Sequence, residues 1–140
     1  MSIRSLRSLA GSRAPTVVTP DARVSAVAIA MRGDLLAAAL VVAGGRLAGI
    51  FTERDLVRVL ATGGDPRVTR VGDAMTPDPQ TIHPDRPFTD ALRMMHEGRF
   101  RHVPIVEDGQ VLGLVSVRDA LQADFDDLAD LLATHEAVRD

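Results

Sequence analysis

Gly49-Ile50-Phe51-Thr52-Glu53-Arg54-Asp55 returns 64 residues later as Gly113-Leu114-Val115-Ser116-Val117-Arg118-Asp119. Both stretches read as a glycine, two apolar residues, a hydroxyl residue, two more residues and an aspartate. The agreement extends outward on both sides without a gap. Under the same shift Pro20-Asp21 falls on Pro84-Asp85, Met31 on Met95, Val42 on Val106 and Gly45 on Gly109. Apolar positions keep step as well: Val41 with Ile105, Leu47 with Val111, Ile50 with Leu114. One register held across so many Gly, Pro and Asp positions marks two copies of a unit of roughly sixty residues.

Each unit predicts the order β-α-β-β-α. A short β segment opens it, Thr16 to Thr19 in the first copy and Gln80 to His83 in the second. Pro-Asp then turns the chain into a helix. Its apolar residues recur at helical spacing, as Val24, Val27, Ala28 and Met31 or as Phe88, Ala91, Leu92 and Met95. Pro87 suits a first helical turn. Two strands follow, Ala38 to Ala43 and Arg46 to Thr52, around a tight turn at Gly44-Gly45 that Asp108-Gly109 matches. A last helix begins near Thr52 or Ser116. One unit is too small to bury a comfortable core, so the two are expected to pack together. Between them Gly63-Gly64-Asp65-Pro66 reads as a linker turn, and Val71 to Pro77 as a short helical lead-in to the second copy. Past residue 120 the chain reads as a helix with Leu121, Phe125, Leu128, Leu131 and Leu132 apolar. Asp124, Asp126, Asp127 and Asp130 give it an acidic, solvated face.

The repeated motif sits at a strand-to-helix junction and supports two readings. Thr52 or Ser116 can be an N-cap, with the Asp three positions on closing a capping-box-like pair that needs no ligand. The same geometry also suits an adenine nucleotide. Free N–H groups and the positive end of a helix dipole attract phosphate. The Thr or Ser hydroxyl, with Arg54 or Arg118 beside it, adds donors for phosphate oxygens. The Asp, one turn on, can accept from a ribose diol, and apolar strand residues can enclose a purine.

The doubled pattern resembles a tandem pair of CBS domains (cystathionine-β-synthase-type repeats, the Bateman module). The two quoted motifs carry the likeness, together with Val71-Gly72-Asp73-Ala74-Met75-Thr76 and Arg101-His102-Val103-Pro104-Ile105-Val106, over about Ala14 to Phe125. The resemblance implies an α/β (α+β) fold: two β-α-β-β-α repeats packed through their sheets with pseudo-two-fold symmetry. It divides the chain into an N-terminal extension (1–13), repeat one (14–64), a linker (65–79), repeat two (80–126) and a C-terminal helix extension (127–140). It implies two clefts for AMP, ADP, ATP or S-adenosylmethionine. In them Asp55 and Asp119 would hold ribose hydroxyls, and Thr52 and Ser116 would approach phosphate. Ile50 and Leu114 would line the base slot, flanked by Val17, Val18, Thr81 and Ile82. Arg101 and His102 would lie near the phosphates. The first copy has Ala37-Ala38-Ala39-Leu40 where the second has Arg101-His102-Val103-Pro104, so the clefts differ in charge. The stretch Arg7 to Arg13 also lacks the Val-x-Asp-x-Met-Thr pattern.

Composition narrows the function. Across 140 residues there is no Cys, Trp, Tyr or Lys, and 16 Arg stand against 15 Asp and 4 Glu. No lysine means no Walker-A or Schiff-base lysine. No cysteine means no thiol nucleophile, thiolate zinc site or disulfide. A net charge of −3 and an aromatic content of 3% argue against a nucleic-acid surface. The longest apolar run, Leu35 to Ala43, is under half the length of a membrane span. No secretory h-region is present, so a cytoplasmic location is expected. His83, His96 and His135 form no metal motif, the Met residues read as core filler, and Arg4, Arg7 and Arg13 read as a solvated tail.

The expectation is a non-catalytic regulatory module with an adenine nucleotide as its ligand and no other cofactor or metal. It would act as a homodimer and signal to a separate effector protein, since the chain starts at Met1 and carries no second domain. The alternative is a ligand-free dimerisation or interaction module whose motifs are only helix caps. No Ser-His-Asp order, paired-carboxylate spacing or metal cluster supports an enzyme.

Overall fold

The computed structural model describes residues 5–139, apart from the side chains of residue 127 and residues 134–139. The element order is α1 (Leu6–Ser12), β1 (Thr16–Val18), α2 (Val24–Arg32), β2 (Ala38–Ala43), β3 (Arg46–Thr52), α3 (Glu53–Ala61), α4 (Val71–Ala74), β4 (Thr76–Pro77), α5 (Phe88–Gly98), β5 (His102–Glu107), β6 (Gln110–Ser116) and α6 (Val117–Arg139). Strand order is β1-β2-β3-β4 in one sheet and β5-β6 in the other.

The two hairpins are near replicas. Gly44 and Gly45 have φ of 60° and 77°, Asp108 and Gly109 of 52° and 79°. Positive φ at both central residues is what a type I′ hairpin turn requires. Each hairpin also shifts register at the same place, between Val41 and Val42 and between Ile105 and Val106.

Alternation along the strands builds three apolar layers. Ala39, Val41 and Phe51 face α2, where Val24, Val27 and Met31 meet them. Val103, Ile105 and Val115 face α5, against Phe88, Ala91 and Met95. The opposite faces meet each other: Ala38, Leu40, Ile50 and Leu114, with Leu36, form a buried layer between the sheets. The repeats therefore pack through their sheets, as expected.

Two expectations need correction. Gln80 to His83 does not form a strand; only Ile82 bridges to Ile105. Ile82 N–H donates to Pro104 O at 3.0 Å and Val106 N–H to Ile82 O at 2.9 Å. The next rung would need an N–H from Pro104, which has none. Repeat one has Leu40 at that place, and its β1 pairs with β2 over three residues. The stretch before Thr16 is not a solvated tail either. Ser5 caps α1 by accepting from Ser8 N–H at 3.0 Å, and Leu6 and Leu9 enter the core of repeat two. Arg7 pairs with Asp85 and Glu107, both at 2.9 Å. Arg4 lies outside the described residues.

The lead-in segments thus cross over. α1 precedes repeat one and packs on β6 of repeat two. α4 and β4 precede repeat two and pack on repeat one, where Val71 joins the α2 core and β4 extends the sheet beside β3. A Cβ on Gly113 would lie 2.9 Å from Ala10 Cα, so the α1–β6 contact depends on bare backbone. Gly113→Ala is expected to lower stability by about 1–3 kcal/mol through overpacking. Urea unfolding checks this, and an unchanged midpoint would contradict the contact.

Candidate functional site

α3 begins where β3 ends, and that junction forms one wall of a cleft of about 1150 Å³ between the repeats. Thr52 is the N-cap of α3, and Asp55 reaches back one turn to accept from Thr52 N–H at 2.9 Å. The capping geometry is therefore present. Asp55 is 2% exposed, and its other oxygen, Oδ1, accepts from Thr76 Oγ1 and from Arg58, both at 3.0 Å. Arg58 stands at helical spacing from Asp55, a signal visible in the sequence. Thr76 comes from β4, and nothing local in the sequence announces its contact.

The cleft brings together eight of the residues singled out by sequence: Ile50, Thr52, Arg54, Asp55, Arg101, His102, Ser116 and Arg118. Leu36, Thr76, Asp78, Arg99 and Phe100 join them without having been foreseen. The remaining candidates lie elsewhere. Leu114 is buried between the sheets, Ile82 in the core of repeat two, and Val18 packs against the core of repeat one. Val17 and Thr81 are exposed and outside the cleft lining. Ile50 and Leu114 are equivalent under the 64-residue shift and share the layer between the sheets, yet only Ile50 reaches the cleft.

Asp119 also lies outside it. Its carboxylate accepts from Ser116 N–H at 2.8 Å, the counterpart of the Asp55 cap. Arg13 then grips both of its oxygens, NH1 on Oδ1 at 2.8 Å and NH2 on Oδ2 at 2.7 Å. Positions 13 and 119 are too far apart in sequence for any periodicity to connect them.

Charge is concentrated in the cleft. Arg54, Arg58, Arg99, Arg101 and Arg118 line it, against Glu53, Asp55 and Asp78. Among the described residues only Arg58 of these arginines is paired with a carboxylate. Arg54 and Arg118 each donate to a carbonyl of the opposite repeat, Arg99 O at 3.4 Å and Leu35 O at 3.2 Å. These contacts are related by the same 64-residue shift as the motifs. The cleft offers donors for an anion, a carboxylate for hydroxyls and apolar walls at Ile50, Leu36 and Phe100.

A second cluster has metal-type donors. His83, Asp85 and Glu107 come within 4.8 Å of one another. Arg7 already supplies the positive charge there and holds the Glu107 carboxyl below its usual range. The cluster is an ion-pair network tying α1 to repeat two.

His102 Nε2 lies 2.6 Å from the Leu36 carbonyl, across the repeat interface. Burial pushes its pKa down, with the carbonyl partly opposing. The unfolded chain then takes up the proton first. Stability from this group is full above about pH 6.5 and is lost as the pH falls through the lowered folded pKa. Between about pH 7.5 and 5.5 wild type should lose more stability than His102→Gln. NMR titration should give His102 a midpoint below about 6.5, and a higher one would contradict its burial.

Comparison with known proteins agrees with the geometry. The CBS domain family matches the chain twice, over residues 6–62 and 71–126. A CBS domain-containing protein of Arabidopsis thaliana, CBSCBSPB3, is 36% identical over 103 residues, covering 72% of this chain and 18% of the relative. The chain spans less than two thirds of the length of the first curated relatives it matches. A CBS domain protein from Pyrobaculum aerophilum, solved in complex with AMP, superposes with a TM-score of 0.75 at 23% identity, covering 83% of this chain and 89% of that one. The CBS domain pair of protein MJ0100, solved with 5′-methylthioadenosine and S-adenosyl-L-methionine, gives 0.79 at 22% identity, covering 89% and 98%. At these identities the two structures speak for the fold. Among the described residues no helix is long and apolar enough to cross a membrane. With both repeats matched by the family and the pair superposing on solved CBS pairs, the chain belongs to the CBS domain family as a tandem pair of repeats.

Proposed function

We propose that this CBS pair is a non-catalytic regulatory module that binds a phosphorylated adenosine in the Asp55 cleft and passes the signal to a separate effector protein. The observation that carries the reading is the convergence of Asp55 and Thr52 with four arginines that have no carboxylate partner among the described residues. A diol would donate to Asp55 Oδ1 in place of Thr76 and Arg58. Phosphate oxygens would accept from Arg54, Arg99, Arg101 or Arg118. This excess of cations favours AMP, ADP or ATP over the sulfonium cation of S-adenosylmethionine. That two structural neighbours hold adenosyl compounds supports the class of ligand.

A homodimer is part of the proposal. On α6, Leu121, Phe125, Leu128 and Leu132 are all more than half exposed and recur at helical spacing, giving an apolar stripe for a second copy.

A second reading rests on the satisfied state of Asp55. Four donors from the protein's own groups surround a 2% exposed carboxylate, as a purely structural cap would have it. Calorimetric titration with AMP, ADP, ATP and S-adenosylmethionine separates the two. Under the first, Arg101→Ala weakens nucleotide binding by about 1.5–3 kcal/mol, roughly ten- to a hundredfold. Asp55→Ala weakens it also, and the nucleotide is recovered intact. Under the second, Asp55→Ala costs about 1 kcal/mol of stability and no nucleotide binds below millimolar. With no Trp or Tyr in the chain, an adenine absorption peak in purified protein freed of nucleic acid would reveal carried-over nucleotide.

A further inference from the structure

Unfavourable backbone geometry in this chain gathers at one place. Among the described residues, four other than glycine have positive φ: Ala37, Asp78, Arg99 and Asp108. Asp108 belongs to a hairpin turn, where positive φ is the rule. The other three come from three separate connections, and all of them line the Asp55 cleft. Left-handed backbone at a residue with a Cβ costs stability, and such residues cluster where a site needs them. Asp adopts this conformation readily, and Ala37 offers no polar side chain, so Arg99 is the residue that calls for a reason.

Arg99 closes α5 with φ 58° and ψ 37°. Its N–H and that of Phe100 both donate to Met95 O, the latter at 3.2 Å. Glycine is the favoured residue at this point of such a closing turn. The repeat does not force the turn. The 64-residue shift sets Arg99 on Leu35, and α2 ends instead at Gly33 with φ −92°. Glycine would also serve the backbone contact of Arg99, because it is the carbonyl that receives Arg54 Nη1, at 3.4 Å. What glycine would lack is the guanidinium, which has no carboxylate partner among the described residues. Arg54 stands beside Asp55 on α3 and extends to the Arg99 backbone. A phosphate chain leaving a ribose on Asp55 therefore meets Arg54 first and Arg99 beyond it.

We propose that Arg99 is the residue by which the cleft distinguishes phosphate number, favouring ATP over AMP. This rests on the nucleotide reading above and adds which arginine serves the phosphates beyond the first. An arginine holds glycine's place in the closing turn because its charge is used there, and the fold gives up some stability for that selectivity.

Calorimetric titration with ATP, AMP and adenosine, paired with urea unfolding, tests this on wild type, Arg99→Gly and Arg99→Lys. Arg99→Gly should unfold at a higher urea concentration than wild type. It should also lose about tenfold or more in ATP affinity, clearly less in AMP affinity and nothing in adenosine affinity. Arg99→Lys should recover part of the ATP affinity without the gain in stability. The two readouts move in opposite directions, whereas an arginine that merely held the fold would lower both. ATP affinity unchanged in Arg99→Gly, or an equal loss for all three ligands, would overturn the assignment. A lower urea midpoint for Arg99→Gly would overturn it too. Wild type that binds none of the three would instead sink the nucleotide reading, and this role with it.

Discussion

Two strands in this protein run bare at the point where another part of the chain crosses them. A side chain on Gly113 would strike Ala10, and one on Gly49 would come within 2.7 Å of the Thr76 carbonyl oxygen. Because nothing projects there, each lead-in segment can lie across the sheet of the repeat it does not precede. Leu6 and Leu9 complete the core of repeat two, and Val71 and Met75 pack with that of repeat one. Neither half closes its own apolar layer. The pair is therefore one cooperative unit, and the Arg13–Asp119 contact exists only because α1 has crossed over.

The same crossing marks the boundary of what the sequence reveals. Hairpins and motif helices rest on local signals: two-residue periodicity, Gly-Gly and Asp-Gly turns, and apolar positions at helical spacing; packing through the sheets is what the family resemblance implies. β2 and β3 have the ends that those signals predict. Gln80 to His83 carries strand-like residues, yet its partner strand offers Pro104 at the position that would extend the ladder. Pairing is a property of two segments, and reading one alone misses it. Arg13 and Thr76 fail for a related reason. Each meets a carboxylate from a distant part of the chain, and neither sits in a pattern that points there. The Ser5 cap and the Leu6–Leu9 spacing were legible signs that α1 is a helix with a buried face.

The doubled unit gives this fold two closely similar hairpins, and the residues around their motifs make their chemistry unequal. Asp55 lies in a cleft with arginines from both repeats, its carboxylate held by Thr52, Thr76 and Arg58. Asp119, outside that cleft, is paired with Arg13. Near-symmetry of the motifs thus coexists with different partners for the two carboxylates, Arg58 from the same helix for Asp55 and Arg13 from a distant segment for Asp119.

The paired arms Arg54 and Arg118 have a mechanical meaning. Each starts on the helix of one repeat and ends on a backbone oxygen of the other, so together they brace the two halves like crossed stays. Carbonyl oxygens are modest acceptors, and an anionic oxygen outbids them for a guanidinium. Any anion that recruits either arm therefore slackens a stay on the opposite half. Occupancy of the cleft and the stiffness of the join between repeats are linked through the same two side chains.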